Sequence, residues 1–135
     1  MANIDDAGVA NPDDGGMADT DDRIRVMFER LYERFNARDI DAVLAHLTDD
    51  VEWPNGWEGG YVHGHDEVRA YWTRQWGEID GTVVPEGFSR QSDGRIDVTV
   101  HQVVKNLAGD LLQDTTVHHV YRLRDDRVEH MEIRK

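Results

Sequence analysis

Residues 95–124 read RIDVTVHQVVKNLAGDLLQDTTVHHVYRLR, and apolar side chains alternate with polar ones on both sides of Ala108-Gly109. A period of two marks strands, and the small pair between them marks a hairpin turn. A two-residue turn there sets Leu107 opposite Asp110 and fixes every later pair. Gln102 then faces Thr115, Val100 faces Val117, Val98 faces His119 and Ile96 faces Tyr121. Cross-strand partners share a face, so these residues, with Val104, Leu111, Gln113 and Leu123, line one side. Asp97, Thr99, His101, Thr116 and His118 line the other. Only the first side is apolar enough to be buried, which turns Gln102 and His119 inward among hydrophobic neighbours. A slip of one residue would exchange the two faces.

The same alternation predicts further strands over 82–91 and 127–134, beside 95–106 and 111–124, punctuated by Asp93-Gly94 and Asp125-Asp126. Upstream of Gly81 the period is helical. Ile24, Met27, Phe28, Leu31 and Phe35 predict a first helix from Thr20 to about Ala37. Asp39 caps a second, with Ile40, Val43, Leu44 and Leu47 as its stripe and Asp49-Asp50 as its end. A brief extended segment, 51–54, then leads through the Gly-rich loop NGWEGGYVHG to a third helix with Asp66 and Glu67 in its first turn. Val68, Tyr71, Trp72, Gln75 and Trp76 line one side of that helix, and Gly77 stops it. Helices first and antiparallel strands afterwards are the mark of an α+β fold with the helices on one face of a curved sheet. Residues 1–19, rich in Gly and Asp and without apolar period, read as a disordered acidic tail before a single domain, 20–135.

The chain has 135 residues, a formal charge of −13 and no cysteine. Thiolate chemistry and disulfides are excluded. So much negative charge disfavours nucleic acid and anionic membranes as partners. No apolar run reaches the roughly 20 residues of a membrane span, and the start lacks a signal-peptide pattern, so the expected location is cytoplasmic. Asp exceeds Glu and nearly every base is Arg, a bias expected in a salt-rich cytoplasm; an ordinary acidic bacterial protein is the alternative.

RDIDAVLAHLTDDVEW, GYVHGHDEVRAYW and VHHVYRLRDDRVEHM, with the Phe28, Leu31, Phe35 helix, resemble the nuclear transport factor 2-like superfamily, and within it the SnoaL-like branch of polyketide cyclases and ketosteroid isomerases. The resemblance covers residues 20–134. It implies three helices forming a cone over a curved, mainly antiparallel sheet, and a pocket near the end of helix one and the loop before helix three. Isomerases, cyclases, hydrolases and noncatalytic binders share this fold. The resemblance places the isomerases' oxyanion-holding tyrosine at Leu31, beside Tyr32, their general-base aspartate at Asn55, and their protonated acid at His119. All three side chains differ, so steroid isomerisation by that mechanism is not expected. Arg95-Ile96-Asp97 resembles part of the Asp-Arg-Asp set of epoxide hydrolases of this fold, but the hairpin register turns both charges outward.

His119 is the candidate catalytic residue. A buried imidazole stays neutral and could exchange a proton with carbon or water; a core histidine satisfied by Gln102, Tyr121 or water is the plainer alternative. Trp53, Trp57, Tyr61 and Trp72, with Val117 and Tyr121, suit a flat or hydrophobic ligand, and Tyr32, Asn55 and Gln102 could orient its polar groups. Core packing explains Trp72 equally well, and turn formation competes for Asn55. His63-Gly64-His65 lacks the spacing of a metal site, and no cofactor is expected. The expected function is proton transfer beside a carbonyl of a small hydrophobic molecule, in an isomerase, cyclase or hydratase. Noncatalytic binding or sensing of a hydrophobic metabolite is the alternative. A buried His119 with a polar neighbour in an open pocket favours the first, and a closed apolar cavity the second. The resemblance also implies a homodimer through the outer sheet face, where His101 and His118 are diagonal neighbours.

Overall fold

The computed structural model describes the backbone of residues 12–56 and 58–135 and the side chains of 21–56 and 58–135. The chain runs α1 (Pro12–Asn36), α2 (Ile40–Leu44), β1 (Leu47–Pro54), β2 (Tyr61–His63), α3 (Gly64–Trp76), β3 (Ile79–Arg90), β4 (Ile96–Asn106), β5 (Leu111–Arg124) and β6 (Arg127–Arg134). It forms two compact units that divide within α1, one ending at Arg30 and the other spanning Leu31–Lys135. The α1 backbone begins at Pro12 rather than Thr20. A proline followed by Asp13 and Asp14 suits a first helical turn in both φ and charge. Residues 1–11 of the expected tail lie outside the described residues.

Within the second unit the six strands form one curved sheet, ordered β2-β1-β6-β5-β4-β3. All neighbours are antiparallel except β1 and β6. The sheet is not closed, because β2 and β3 are free edges. The helical residues after Arg30 pack on one face, where Leu31, Tyr32, Val43, Leu44, Val68, Trp72, Val98, Val100, Tyr121 and Met131 are all buried. Asn36 fastens the end of α1 to β3: its amide donates to the Val83 carbonyl and its Oδ1 accepts from the Val83 N–H.

The hairpin register holds. Ile96↔Tyr121, Val98↔His119, Val100↔Val117 and Gln102↔Thr115 pair as expected. The turn itself differs. Lys105 pairs with Leu111, and Asn106 N–H bonds the Asp110 carbonyl, leaving three residues, Leu107-Ala108-Gly109, in the loop. Gly109 adopts φ 94°, which side chains with a Cβ resist. A bulge at Leu112 takes up the extra residue and restores the register beyond it.

The second helix is shorter than expected. Asp39 caps it by accepting from the Ala42 N–H, but it ends at Leu44 and β1 begins at Leu47. Parallel pairing of Leu47 with Val128, and the Val128 N–H bond to the His46 carbonyl, draw this segment into the sheet. Tertiary pairing thus overrides the helical stripe. The loop before α3 also contains a strand: Tyr61 and Val62 pair with Pro54 and Trp53.

Candidate functional site

His119 stands on β5 between Val98 of β4 and Ile133 of β6 and is only 6% exposed. Its Nδ1 lies 2.8 Å from the Tyr32 hydroxyl, which lies 2.8 Å from the Tyr121 hydroxyl. Tyr32 comes from the last turns of α1, and its ring stacks on the imidazole with centroids 5.8 Å apart. Tyr121 reaches the same hydroxyl from two positions along β5. Burial pushes His119 down to about 4, with His118 adding to the shift. Burial also holds both phenols above their ordinary values. The trio is therefore neutral at pH 7.

Neutrality leaves three protons, one on each phenol and one on the imidazole, and two hydrogen bonds to order them. If Tyr121 donates to Tyr32 and Tyr32 to Nδ1, then Nε2 carries the imidazole proton. If the chain runs the other way, Nε2 is a bare acceptor. In either case Nε2 has no hydrogen-bond partner among the described residues, yet it is not sealed from solvent. His119 is itself among the residues that line a recess.

That recess has a volume of about 590 Å³ and lies within the second unit. Phe35 and the α3 stripe Tyr71, Trp72, Gln75 and Trp76 form its helical wall. The wall is built from rings packed edge to face, Trp72 lying 5.3 Å from both Phe35 and Trp53. Trp76 also carries the Arg38 guanidinium 4.7 Å over its ring, and Arg38 is held in turn by Asp80 at 2.6 Å. Val83, Val104, Val117, Met131 and Ile133 form the sheet side. Gln102, which donates to Gln113 at 2.9 Å, adds a polar pair to the lining.

Of the residues expected at a site, Trp53, Trp72, Gln102, Val117 and His119 line the recess. Tyr32 and Tyr121 stand behind His119 and hold its ring. Asn55 is occupied elsewhere: its Oδ1 accepts the Glu58 N–H at 2.8 Å and its amide donates to the Glu58 carboxylate at 3.0 Å. Those bonds close the 55–60 loop. Tyr61 is 42% exposed, with its ring 5.3 Å from His130 on the sheet. Trp57 lies outside the described residues. Val83, Met131, Ile133 and Lys135 also line the recess, beyond the residues expected there. Extending the period of two from His119 across its neighbours, Ile133 beside it and Met131 beside Tyr121, would have found the β6 residues.

The outer face carries different chemistry. His118 pairs with Asp97 at 2.9 Å and His101 with Asp114 at 2.6 Å. Asp114, and more weakly Glu86, raise the His101 pKa. Arg95 points outward to Asp93 and Glu132. His65 meets the Leu47 carbonyl, while His63 meets Glu52. No group of three His, Asp or Glu side chains placed to hold a metal ion occurs among the described residues. No helix among them is long and apolar enough to cross a membrane.

Residues 28–131 match the SnoaL-like domain family. Among solved structures, the chain is 30% identical to an NTF2-like protein of unknown function from Burkholderia pseudomallei, with a TM-score of 0.69 over 81% of this chain and 86% of that one. It is 26% identical to TerC, crystallised with polyporic acid, with a TM-score of 0.70 over 82% and 88% of the two chains. A Mycobacterium tuberculosis protein in complex with estradiol-17β-hemisuccinate, 19% identical, shares the fold with a TM-score of 0.66 over 76% and 85%. No functionally curated protein matches the chain.

Proposed function

This chain belongs to the SnoaL-like domain family, and on that premise we propose that its recess binds a small, largely apolar organic molecule whose oxygen function meets Nε2 of His119. The observation that carries this reading is the Tyr121–Tyr32–His119 chain. The Tyr32 hydroxyl, bonded in turn to that of Tyr121, occupies Nδ1 and leaves Nε2 unbonded on a residue that lines an aromatic-walled recess. Burying three polar groups costs stability unless they are paired, and here they are paired so that one nitrogen stays available. The polyporic acid of TerC supports a ligand of this general kind.

The chemistry proposed is proton transfer beside a carbonyl, as in an isomerase or cyclase. With Nδ1–H donating to Tyr32, Nε2 takes a proton from the carbon next to the carbonyl and leaves an enolate; the imidazolium then returns the proton to another position. Binding without turnover is the second reading. It is favoured by a lining that holds no Asp or Glu among the described residues and by an imidazole depressed to about 4, a weak base.

One experiment separates the two. 2-Tetralone, a bicyclic ketone with acidic hydrogens beside its carbonyl, is incubated with the protein in D2O and its deuterium uptake followed by NMR. Uptake above buffer that disappears in His119→Gln supports proton transfer. Saturable binding without uptake supports the noncatalytic reading, and absence of binding by 2-tetralone and by polyporic acid rejects both.

A further inference from the structure

Between Ile96 and Val104 the inner face of β4 is apolar at every position but one, and the exception is Gln102. It sits on an interior strand, paired with Val83 of β3 and Thr115 of β5, and lines the recess among Val83, Val104 and Val117. An amide set among valines costs stability unless its polar atoms are paired. One pair is made: Gln102 Nε2 donates to Gln113 Oε1 at 2.9 Å, and Gln113, level with Val104, lines the recess as well. No other hydrogen bond to either side chain occurs among the described residues.

A primary amide carries two N–H donors and a carbonyl oxygen with two lone pairs. The bond between the two glutamines uses one donor of Gln102 and one lone pair of Gln113, so the Gln102 carbonyl and the Gln113 amino group stay open. Turning both amides over keeps the bond and exchanges the roles, again leaving one carbonyl and one amino group. Half-buried Gln102 and exposed Gln113 thus offer a ligand an acceptor and a donor together.

The register fixes how far this pair stands from His119. Gln102 is level with Thr115, four residues along β5 from His119 and one strand across. At about 3.4 Å per residue and about 4.8 Å between strands, the two backbones are roughly 14 Å apart. Once both side chains reach inward, the gap is the length of two linked aromatic rings. Val117 and its partner Val100 lie between the two ends and form an apolar floor.

We propose that Gln102 and Gln113 form a second polar subsite of the recess, selecting an uncharged ligand group that carries a donor and an acceptor together, a primary carboxamide or lactam, at the far end of an aromatic body from the oxygen that meets His119. The proposal rests on the recess reading above and adds the residues that read the ligand's other end. Burial of the aromatic body supplies affinity for any ligand of that shape. The glutamine pair supplies discrimination, because a group without the matching donor leaves a partly dehydrated carbonyl unpaired. A carboxylate offers acceptors only and meets a chain of net charge −13.

The test titrates the full chain by calorimetry with 4′-hydroxybiphenyl-4-carboxamide, the corresponding methyl ester, and 4-hydroxybiphenyl. The carboxamide is expected to bind about tenfold more tightly than the ester. With no charge involved, that preference should not change with salt. Gln102→Met, an apolar replacement of similar length, should erase the preference while 4-hydroxybiphenyl binds as before, and Gln113→Met should weaken it. Equal binding of carboxamide and ester by the native chain overturns the proposal, as does a preference that survives intact in Gln102→Met. Should Gln102→Met fail to fold, as read by circular dichroism, an undiminished preference in Gln113→Met overturns it instead. In each of these results 4-hydroxybiphenyl still binds the native chain, so the recess reading stands. Failure of all three ligands to bind overturns the recess reading and this proposal with it.

Discussion

His118 and His119 are neighbours in the chain and opposites in environment. The alternation of a strand sends His118 to the outer face, where its side chain is 40% exposed and bonded to Asp97. It sends His119 to the inner face, 6% exposed and bonded to a phenol. One partner is a charged acceptor in water and the other a neutral hydroxyl in a dry interior. The difference shows that the residue type sets little by itself: the face decides whether an imidazole becomes a solvated ion-pair partner or a neutral group with one nitrogen reserved.

The largest test of that contrast is acid stability. The His119 pKa falls from 6.5 in the unfolded chain to about 4 in the folded protein, so the unfolded state binds the extra proton first. Stability should be unaffected by this group above pH 6.5, fall as pH drops from 6.5 to 4, and level off below. The loss is about 3 kcal/mol at 1.36 kcal/mol per unit. Denaturant midpoints across that window check it, and His119→Gln should flatten the profile. An unchanged slope would place the imidazole in water, with His118. The carboxylates whose pKa values are lowered, among them Asp50 at about 2, lose their contribution at lower pH.

Tyr32→Phe is next in size. It removes the hydroxyl that joins Nδ1 to Tyr121 and should cost about 1–3 kcal/mol, the penalty of stranding a buried polar group. The His119 ring nitrogens should shift in the nitrogen NMR spectrum as the tautomer is released. A smaller effect is expected outside: His118→Gln should change stability by no more than about 0.5 kcal/mol, because an exposed pair gains little over water. The smallest is a titration. Asp114→Asn should lower the raised His101 pKa toward 6.5, with the midpoint read by proton NMR. His101 also runs opposite to His119 in sign. Its contribution to stability is complete below pH 6.5 and is lost as pH rises through its folded value.

Much of this was legible from residues 95–124 alone. The pairing of Val98 with His119 and the inward turn of Gln102 follow from a period of two and one turn position. Where the segment bore two patterns, local reading failed: Leu47 completes a helical stripe with Val43 and Leu44, yet parallel pairing with Val128, far along the chain, claims it for a strand. Tyr61, grouped with the tryptophans as an aromatic suited to a flat ligand, pairs with Pro54 and is carried to an exposed edge. Asn55 illustrates a different gap. An Asn-Gly pair predicts a turn and a pocket amide equally well, and only the bonds to Glu58 show which use it serves. The Tyr32–His119 contact spans 87 residues and no local pattern contains it.

The bulge at Leu112 separates the length of the hairpin from its alignment. Shortening the Leu107-Ala108-Gly109 loop by one residue, or deleting the bulged leucine, changes only the tip, because the pairs from Gln102↔Thr115 inward already match those of a two-residue turn. Leu112 lines the recess, so such deletions would reshape that part of its wall while His119 and its tyrosines stay in place. The tip is an evolutionary degree of freedom: it can gain or lose a residue without moving the Tyr121–Tyr32–His119 chain.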